Sequence, residues 1–397
     1  MERKKPVLDN IVLIVGMGVF LWVLLLPKPS ANWVYLDTLK YASTTLKGQM
    51  PFSDFAAMVV GFRALYNRTD PYPVLGTAFR DLGIDWDVRH GSNHPPTSYL
   101  LAAPVAFMPW PWASAVWAWL MLCLIVLSYR FYGLSWKLSL GLMPLTLFWP
   151  PASASLGQVT IVWMFGVAMA YYFRRSKLFW SGVSVGLASA SKYLPALLMI
   201  AFIIKRKWMA ILGFVSFWIA ALAMVLILNA SAIQRYVEEN RHTSVAIMQR
   251  PDNAAPLLVG YRYGGWLGLA AIICFYGAIV FANRECFSGE KDYPSTRAWM
   301  LLSYFAVACI PIFWIYSLMP LLPVIAFLVK GGRVATTILA VGAVLIPSIL
   351  IQAGESSILA IAGAVAILGL ALIFDVLPMK ILQRQWRPDH LIEAGAR

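Results

Sequence analysis

The sequence predicts an all-α, polytopic membrane protein with about twelve transmembrane helices, and three observations predict it. Of 397 residues, 60% are hydrophobic and only 13% are charged, against roughly 45–50% and about 25% in a soluble domain. Mean hydropathy is +0.71. The apolar residues fall in long runs separated by short basic turns. A water-soluble enzyme of this make-up would carry apolar surface that it could not cover. Soluble enzymes, disordered tails and disulfide-stapled secreted modules are therefore excluded.

Taken in order, the first apolar run covers 11–27. It is too long and too bulky at its end for a cleaved signal peptide. A loop follows over 28–96, then an apolar stretch over 97–109 that we expect to be only partly inserted. Core helices are expected within 97–229, at 111–129, 138–150, 156–173, 178–190, 193–204 and 208–229. A second loop covers 230–262. The C-terminal helices fill 263–377, at 263–283, 298–310, 313–329, 334–351 and 356–377, before a tail over 378–397. Several runs fall short of the ~20 residues of a straight span. Pro144, Pro150, Pro151 and Pro195 point to kinked or paired helices there. The whole chain, 1–397, reads as one integral membrane domain.

The basic residues set the sidedness. Clusters at Arg3–Lys5, Arg174–Lys177, Lys205–Lys207 and in the tail can all lie on one face if the spans alternate. The positive-inside rule makes that face cytoplasmic, with both termini on it. The net charge of +14 then reports topology. Nucleic acid is not expected as a partner, because no basic stripe carries interleaved aromatics in a polar context. Of Cys123, Cys274, Cys286 and Cys309, three lie in apolar runs without an extracellular spacing pattern and read as core residues. Loops 28–96 and 230–262 face outside, and a loop as long as the first calls for a function.

No Asp or Glu occurs between Asp87 and Glu238, so those spans lack a carboxylate proton relay. Outward acid–base chemistry must draw on Asp37, Asp54, Asp70, Asp81, Asp85, Asp87, Glu238, Glu239 and Asp252. Asp54 opens a run in which Phe55, Met58, Val59, Phe62 and Tyr66 share one helical face. This reads as an amphipathic helix in the membrane interface with Asp54 at its N-terminus. Asp54 either caps that helix or carries chemistry; spacing does not separate the two. Asp85 and Asp87 lack a ligand set for a cation, so no metal is predicted.

Polar residues inside apolar surroundings form the second signal, because such groups are costly unless paired and tend to mark substrate paths. They are His94 in His94-Pro-Pro96, Gln158 at a helix head, Lys192 in a short outward turn, and Trp314 with Tyr316 near an outer helix end. Each has an ordinary alternative: a carbonyl partner for His94, helix–helix glue for Gln158, headgroup snorkelling for Lys192, and an aromatic belt for Trp314 and Tyr316. Their shared outward placement is the stronger argument.

The order of these motifs resembles glycosyltransferase family 87. Asp54-Phe55 comes first, then Asp70-Pro-Tyr72, His94-Pro-Pro96, Gly157-Gln158, and Lys192-Tyr-Leu-Pro195 followed by the basic turn Lys205–Lys207. Two positions depart from the family's pattern. Asn253-Ala-Ala-Pro, with Arg262 downstream, stands where an Asn-Gln-Ser element is usual, and Tyr316 stands where a His is usual. The resemblance implies a C-type (GT-C-like) helical bundle that uses a polyprenyl-phosphate sugar, with mannose or a related hexose expected. It implies Asp54 as general base, Lys192 and Arg262 at the donor phosphate, and His94, Gln158, Asn253, Trp314 and Tyr316 at the sugars. A glycolipid or glycan acceptor and the surrounding lipids are the expected partners, and no cofactor is expected.

The residues fit that scheme. The chain has no P-loop or dinucleotide fingerprint for a nucleotide sugar. A single essential carboxylate suits a one-step inverting transfer, unlike the two flanking acids of glycoside hydrolysis. Two other classes are weighed against it. A lipid-sugar flippase or transporter would call for an inverted repeat or an intramembrane acid chain. A surface-glycan polymerase or ligase would call for a larger, more basic second loop.

Overall fold

In the computed structural model, all regular structure among the described residues is helical. The structure describes residues 5–25, 53–73, 75–83, 92, 94–146, 157–248, 253–288, 293–311, 315–322, 324, 325, 328, 338–340, 342, 343 and 357–375. The helices are α1 (Lys5–Leu25), α2 (Ser53–Asn67), α3 (Leu75–Arg80), α4 (Pro96–Tyr99), α5 (Trp110–Phe131), α6 (Trp136–Thr146), α7 (Thr160–Phe173) and α8 (Leu178–Ser191). They continue as α9 (Met199–Ile204), α10 (Trp208–Leu228), α11 (Ala232–Met248), α12 (Pro256–Ala282), α13 (Glu285–Ser288), α14 (Thr296–Ala308) and α15 (Ser357–Phe374). Short 3-10 turns at Leu100–Ala102, Leu194–Leu198 and Ile315–Leu321 join some of them.

Three of these helices, α5, α10 and α12, are long and apolar enough to cross a membrane. Others, such as α7 and α8, are apolar but shorter. A helix of 14 residues is about 21 Å long, against a hydrocarbon core of about 30 Å. By length and composition alone the described residues thus offer three candidate spans, one of them (α12) bent at Gly265, fewer than the sequence count of about twelve. Part of the difference is local chemistry. Segment 97–109 forms only short helical turns. The run over 193–204 is split into a 3-10 turn, Leu194–Leu198, with Pro195 near its start, and α9. Most of the expected run 334–351, and the tail over 378–397, lie outside the described residues.

The third long helix is not straight. Gly265 has φ 57 and ψ −146, a region open in practice only to glycine. The two legs fold back on each other there. A Cβ on Gly268 would lie 2.2 Å from the Gly260 carbonyl oxygen, although eight residues of continuous helix would separate them by about 12 Å. The tip leaves Tyr261, Tyr263, Trp266 and Leu267 exposed. The predicted boundary between the second loop and its following span, at 262–263, falls close to this bend. That loop is itself largely helical, as α11.

Helices α7, α8 and α10 pack side by side. Glycine makes the closest approach possible: a Cβ on Gly182 would fall 1.8 Å from the Ala210 carbonyl oxygen. Small residues at such crossings let helix backbones meet where burying apolar surface cannot drive association. Gly182→Ala must push α8 off α10, and it is expected to cost about 1–3 kcal/mol. Thermal melting of the detergent-solubilised protein checks this as a lowered midpoint.

The packing sorts the connections between two ends of the bundle. At one end Arg174 donates from Nε to Pro294 O (3.1 Å) and from Nη2 to Thr296 Oγ1 (3.1 Å). At the same end Arg297 pairs with Asp375. At the other end Asn229 Nδ2 donates to Thr69 O (2.7 Å), tying the end of α10 to the first predicted outer loop. The Arg174 and Arg297 contacts thus lie at the opposite end of these helices from the 69–72 turn and the start of α11. A buried core of large side chains, including Trp117, Trp163 and Trp299, fills the space between.

Candidate active site

Helix α2 carries Asp54 in its first turn. Its partner side is built around Phe55, whose ring stacks on Trp117 (centroids 4.6 Å) and Trp110 (5.5 Å) of α5. Gly61 then lets α2 pass the Tyr99 ring, 2.6 Å from where a Cβ would sit. Arg63 ties the same helix to the 97–109 segment, donating from Nε to Ala106 O (2.6 Å) and from Nη2 to Met108 O (3.3 Å).

Phe55, Met58, Val59 and Phe62 are buried as the apolar face predicts, but Tyr66 is exposed. The expectation of a helix lying on the interface needs correction. Its opposite side is covered too, because Ala56 and Ala57 pack on Leu75 and Phe79 of α3. Small side chains on that second face let α3 close over it. Asp54 thereby sits at the end of a buried helix rather than on a free surface one, with 26% of its side chain exposed.

His94 arrives from the same loop. Pro95 and Pro96 start α4, and Thr97 Oγ1 donates to Ala190 O (3.4 Å) in the last turn of α8. That contact brings His94-Pro-Pro96 to the end of α8. There Lys192 leaves the helix in an extended conformation, with φ −154 and ψ 133. His94 Nε2 lies 3.8 Å from Asp54 Oδ2. Asp54, His94 and Lys192 thus come from three segments far apart in sequence.

Their electrostatics are mutual. Burial lowers the His94 imidazole below its ordinary value; Asp54 pulls the other way and Lys192 adds to the lowering. At pH 7 the ring is therefore neutral, one nitrogen donating and one accepting. Burial also brings the Lys192 ammonium down to about 8, against the opposing pull of Asp54. Near neutral pH the site holds a neutral imidazole and a cation beside the Asp54 carboxyl group.

Gln158 precedes α7, whose other end leads to Arg174, so it belongs to the end of the bundle that holds Lys192. Among the described residues its Oε1 is buried without a hydrogen-bond partner, and so is Thr160 Oγ1 nearby. Buried orphan acceptors of this kind are expensive and suit a ligand's hydroxyl groups. Asn253 is fully buried and holds backbone. Its Nδ2 donates to Pro311 O (3.0 Å) and Met248 O (3.3 Å), and its Oδ1 accepts from Ala255 N (3.1 Å). Asn253 thereby fixes the entry to α12. Arg262 is exposed near the tip of α12.

Tyr316 lies in the 3-10 turn Ile315–Leu321, which packs on α7. Trp314 lies outside the described residues, as do Asp37, Asp85, Asp87 and Asp252. Among the described residues no group of three or more His, Cys, Asp or Glu side chains comes together.

The sequence reading missed Tyr72 and Ser92 as parts of this site. Tyr72 OH donates to His94 O (3.1 Å), and His94 N donates to Ser92 Oγ (3.2 Å). The only signal for Tyr72 was its place in Asp70-Pro-Tyr72. Ser92 carried none.

The assembled site offers a carboxylate to take a proton, a neutral imidazole to hold a hydroxyl group, and a cation to meet an anion. A family model described as glycosyltransferase family 87 matches residues 93–311. The matched segment holds His94, Gln158, Lys192, Asn253 and Arg262, while Asp54 precedes it. No curated protein and no solved structure matches the chain.

Proposed function

This chain belongs to glycosyltransferase family 87, and on that premise we propose that it moves a hexose, mannose first among the candidates, from a polyprenyl phosphate to a glycolipid or glycan acceptor. The observation that carries this reading is the meeting of Asp54 with His94 at 3.8 Å, inside the electrostatic reach of Lys192.

A sugar hydroxyl is too weak an acid to ionise at pH 7, so the acceptor needs a base as its bond forms. In this reading Asp54 takes that proton. The acceptor oxygen bonds to the anomeric carbon from one face while the bond to the phosphate oxygen breaks on the other, inverting the centre. The polyprenyl phosphate leaves as an anion, and Lys192 stabilises the charge that develops on it. A phosphate is a good leaving group, so the scheme needs no strong general acid. His94 orients the attacking hydroxyl, and Gln158 and Tyr316 hold other sugar hydroxyls. Trp314 and Asn253 line or brace the acceptor side, and Arg262 is a second cation for the donor.

The membrane supplies the donor's other half. Between the legs of α12, α14 and α15 lies a cavity of about 340 Å³, lined by Pro256, Val259, Ile272, Phe275, Tyr276 and Tyr304 among others. Its two tyrosine hydroxyls are spent on backbone, Tyr276 OH on Ala308 O (3.0 Å) and Tyr304 OH on Val365 O (3.1 Å). A dry wall of this kind accepts hydrocarbon such as a prenyl tail and offers nothing to a sugar. The rest of the reading is a GT-C-like bundle of about twelve helices, in the cytoplasmic membrane, with both termini inside and the site outside. No cofactor enters the scheme.

Purified full-length protein given polyprenyl-phosphate mannose and a panel of glycolipid acceptors tests the reading. Covalent transfer with inversion at the anomeric carbon is the expected result. Counter-flow of lipid-linked sugar in proteoliposomes without covalent transfer would replace it with a transporter.

A further inference from the structure

We propose that Tyr72 is a positioning residue for the Asp54–His94 pair, and that it couples this pair to helix α11 of the second outer connection. The inference rests on the reading of that pair as the reacting centre. Tyr72 is buried, and burial keeps its hydroxyl protonated by driving its pKa far upward. It is therefore a permanent donor, and it donates to His94 O at 3.1 Å. That carbonyl belongs to the peptide bond entering Pro95, and neither Pro95 nor Pro96 has an N–H. Fixing the carbonyl plane fixes ψ of His94, while Ser92 Oγ holds its N–H at 3.2 Å. Both backbone groups of the residue are thus clamped, and its ring is aimed at Asp54.

The clamp is tied to the other loop at two points. Tyr72 N closes a turn on Asp70 Oδ1 (3.0 Å), which accounts for Asp70-Pro-Tyr72 as a structural unit. The Tyr72 ring lies 5.9 Å from Tyr236 of α11 and 5.7 Å from Tyr99. Just ahead of the turn, Thr69 O accepts from Asn229 Nδ2, and Asn229 Oδ1 accepts from Ser231 N (3.2 Å) at the start of α11. A shift of α11 as an acceptor enters is thereby passed to the 69–72 turn, and from there to His94.

The test is Tyr72→Phe in the full-length protein, with Tyr236→Leu as the second variant. Tyr72→Phe is expected to lower kcat about tenfold, leaving both KM values within about twofold, because geometry is lost and not binding. Its thermal midpoint is expected to fall by only a few degrees, the cost of one buried hydrogen bond, with the protein still folded at the assay temperature. The chain has four histidines, so ring-labelled His94 is assigned by its loss in His94→Asn. Its ring signals are expected to move in both variants, with titration shifting upward towards the ordinary value as water reaches the ring beside Asp54 and Lys192. Wild-type kcat in Tyr72→Phe, or unmoved ring signals in either variant, would overturn the proposal. If the wild-type protein transfers no sugar, the reaction assignment fails, and the ring signals still decide the strut.

Discussion

Asp54→Asn is expected to lower kcat for sugar transfer by about 10²–10⁴-fold while leaving donor KM within a few-fold. This is the range a positioned general base contributes. Asparagine has the shape of aspartate and keeps an oxygen that can cap a helix, so α2 should still form. The packing that holds this turn, Phe55 on Trp117 and Trp110, is untouched by the change. What asparagine lacks is a basic site for the acceptor proton. Single-turnover assays with bound donor isolate the chemical step, and turnover within about threefold of wild type would remove Asp54 from the reaction. A cap role alone predicts catalysis preserved and a melting midpoint close to wild type, because asparagine caps a helix about as well as aspartate.

The second large effect is the pH response of donor use. Burial holds Lys192 near 8, with Asp54 opposing the fall. The sign follows directly. Below that pH the amine is protonated and attracts the donor phosphate; above it the charge is lost. Donor kcat/KM, which reports the free enzyme, should be level on this account up to about pH 8 and then fall about tenfold per unit. Lys192→Ala should raise donor KM by roughly 10–100-fold, the worth of a charged hydrogen bond, and abolish that alkaline limb. Lys192→Arg should shift the limb out of the measurable range, because a guanidinium stays charged. An alkaline limb unchanged in Lys192→Ala would assign it to another group and leave the phosphate to a different cation.

Composition and the apolar runs carried the helical class and several of the helices. The helices over 110–131, 160–173, 178–191 and 208–228 coincide with the apolar runs read from the sequence. A bilayer imposes hydrophobicity residue by residue, so it shows in one dimension. Helix breaks were harder to read. Pro195 was visible as a breaker, whereas Gly265 looks like any glycine until its positive φ is seen. The burial of α2 on both sides was also hidden, because Ala56 and Ala57 carry no strong hydropathy and acquire meaning only when Phe79 covers them.

The sequence by itself determined that this is a helical membrane chain, which turns share an end, and which few polar side chains are available for chemistry. It did so because the absence of acids between Asp87 and Glu238 leaves little to choose from. Only the tertiary structure decided which of those side chains meet. Asp54, His94 and Lys192 converge through Phe55 on α5, through Thr97 on Ala190 and through the end of α8, while Asn253 holds backbone at the entry to α12 and Arg262 lies near the tip of that helix. Such contacts depend on how helices cross and where their ends are tied, and neither property leaves a periodic trace along the chain.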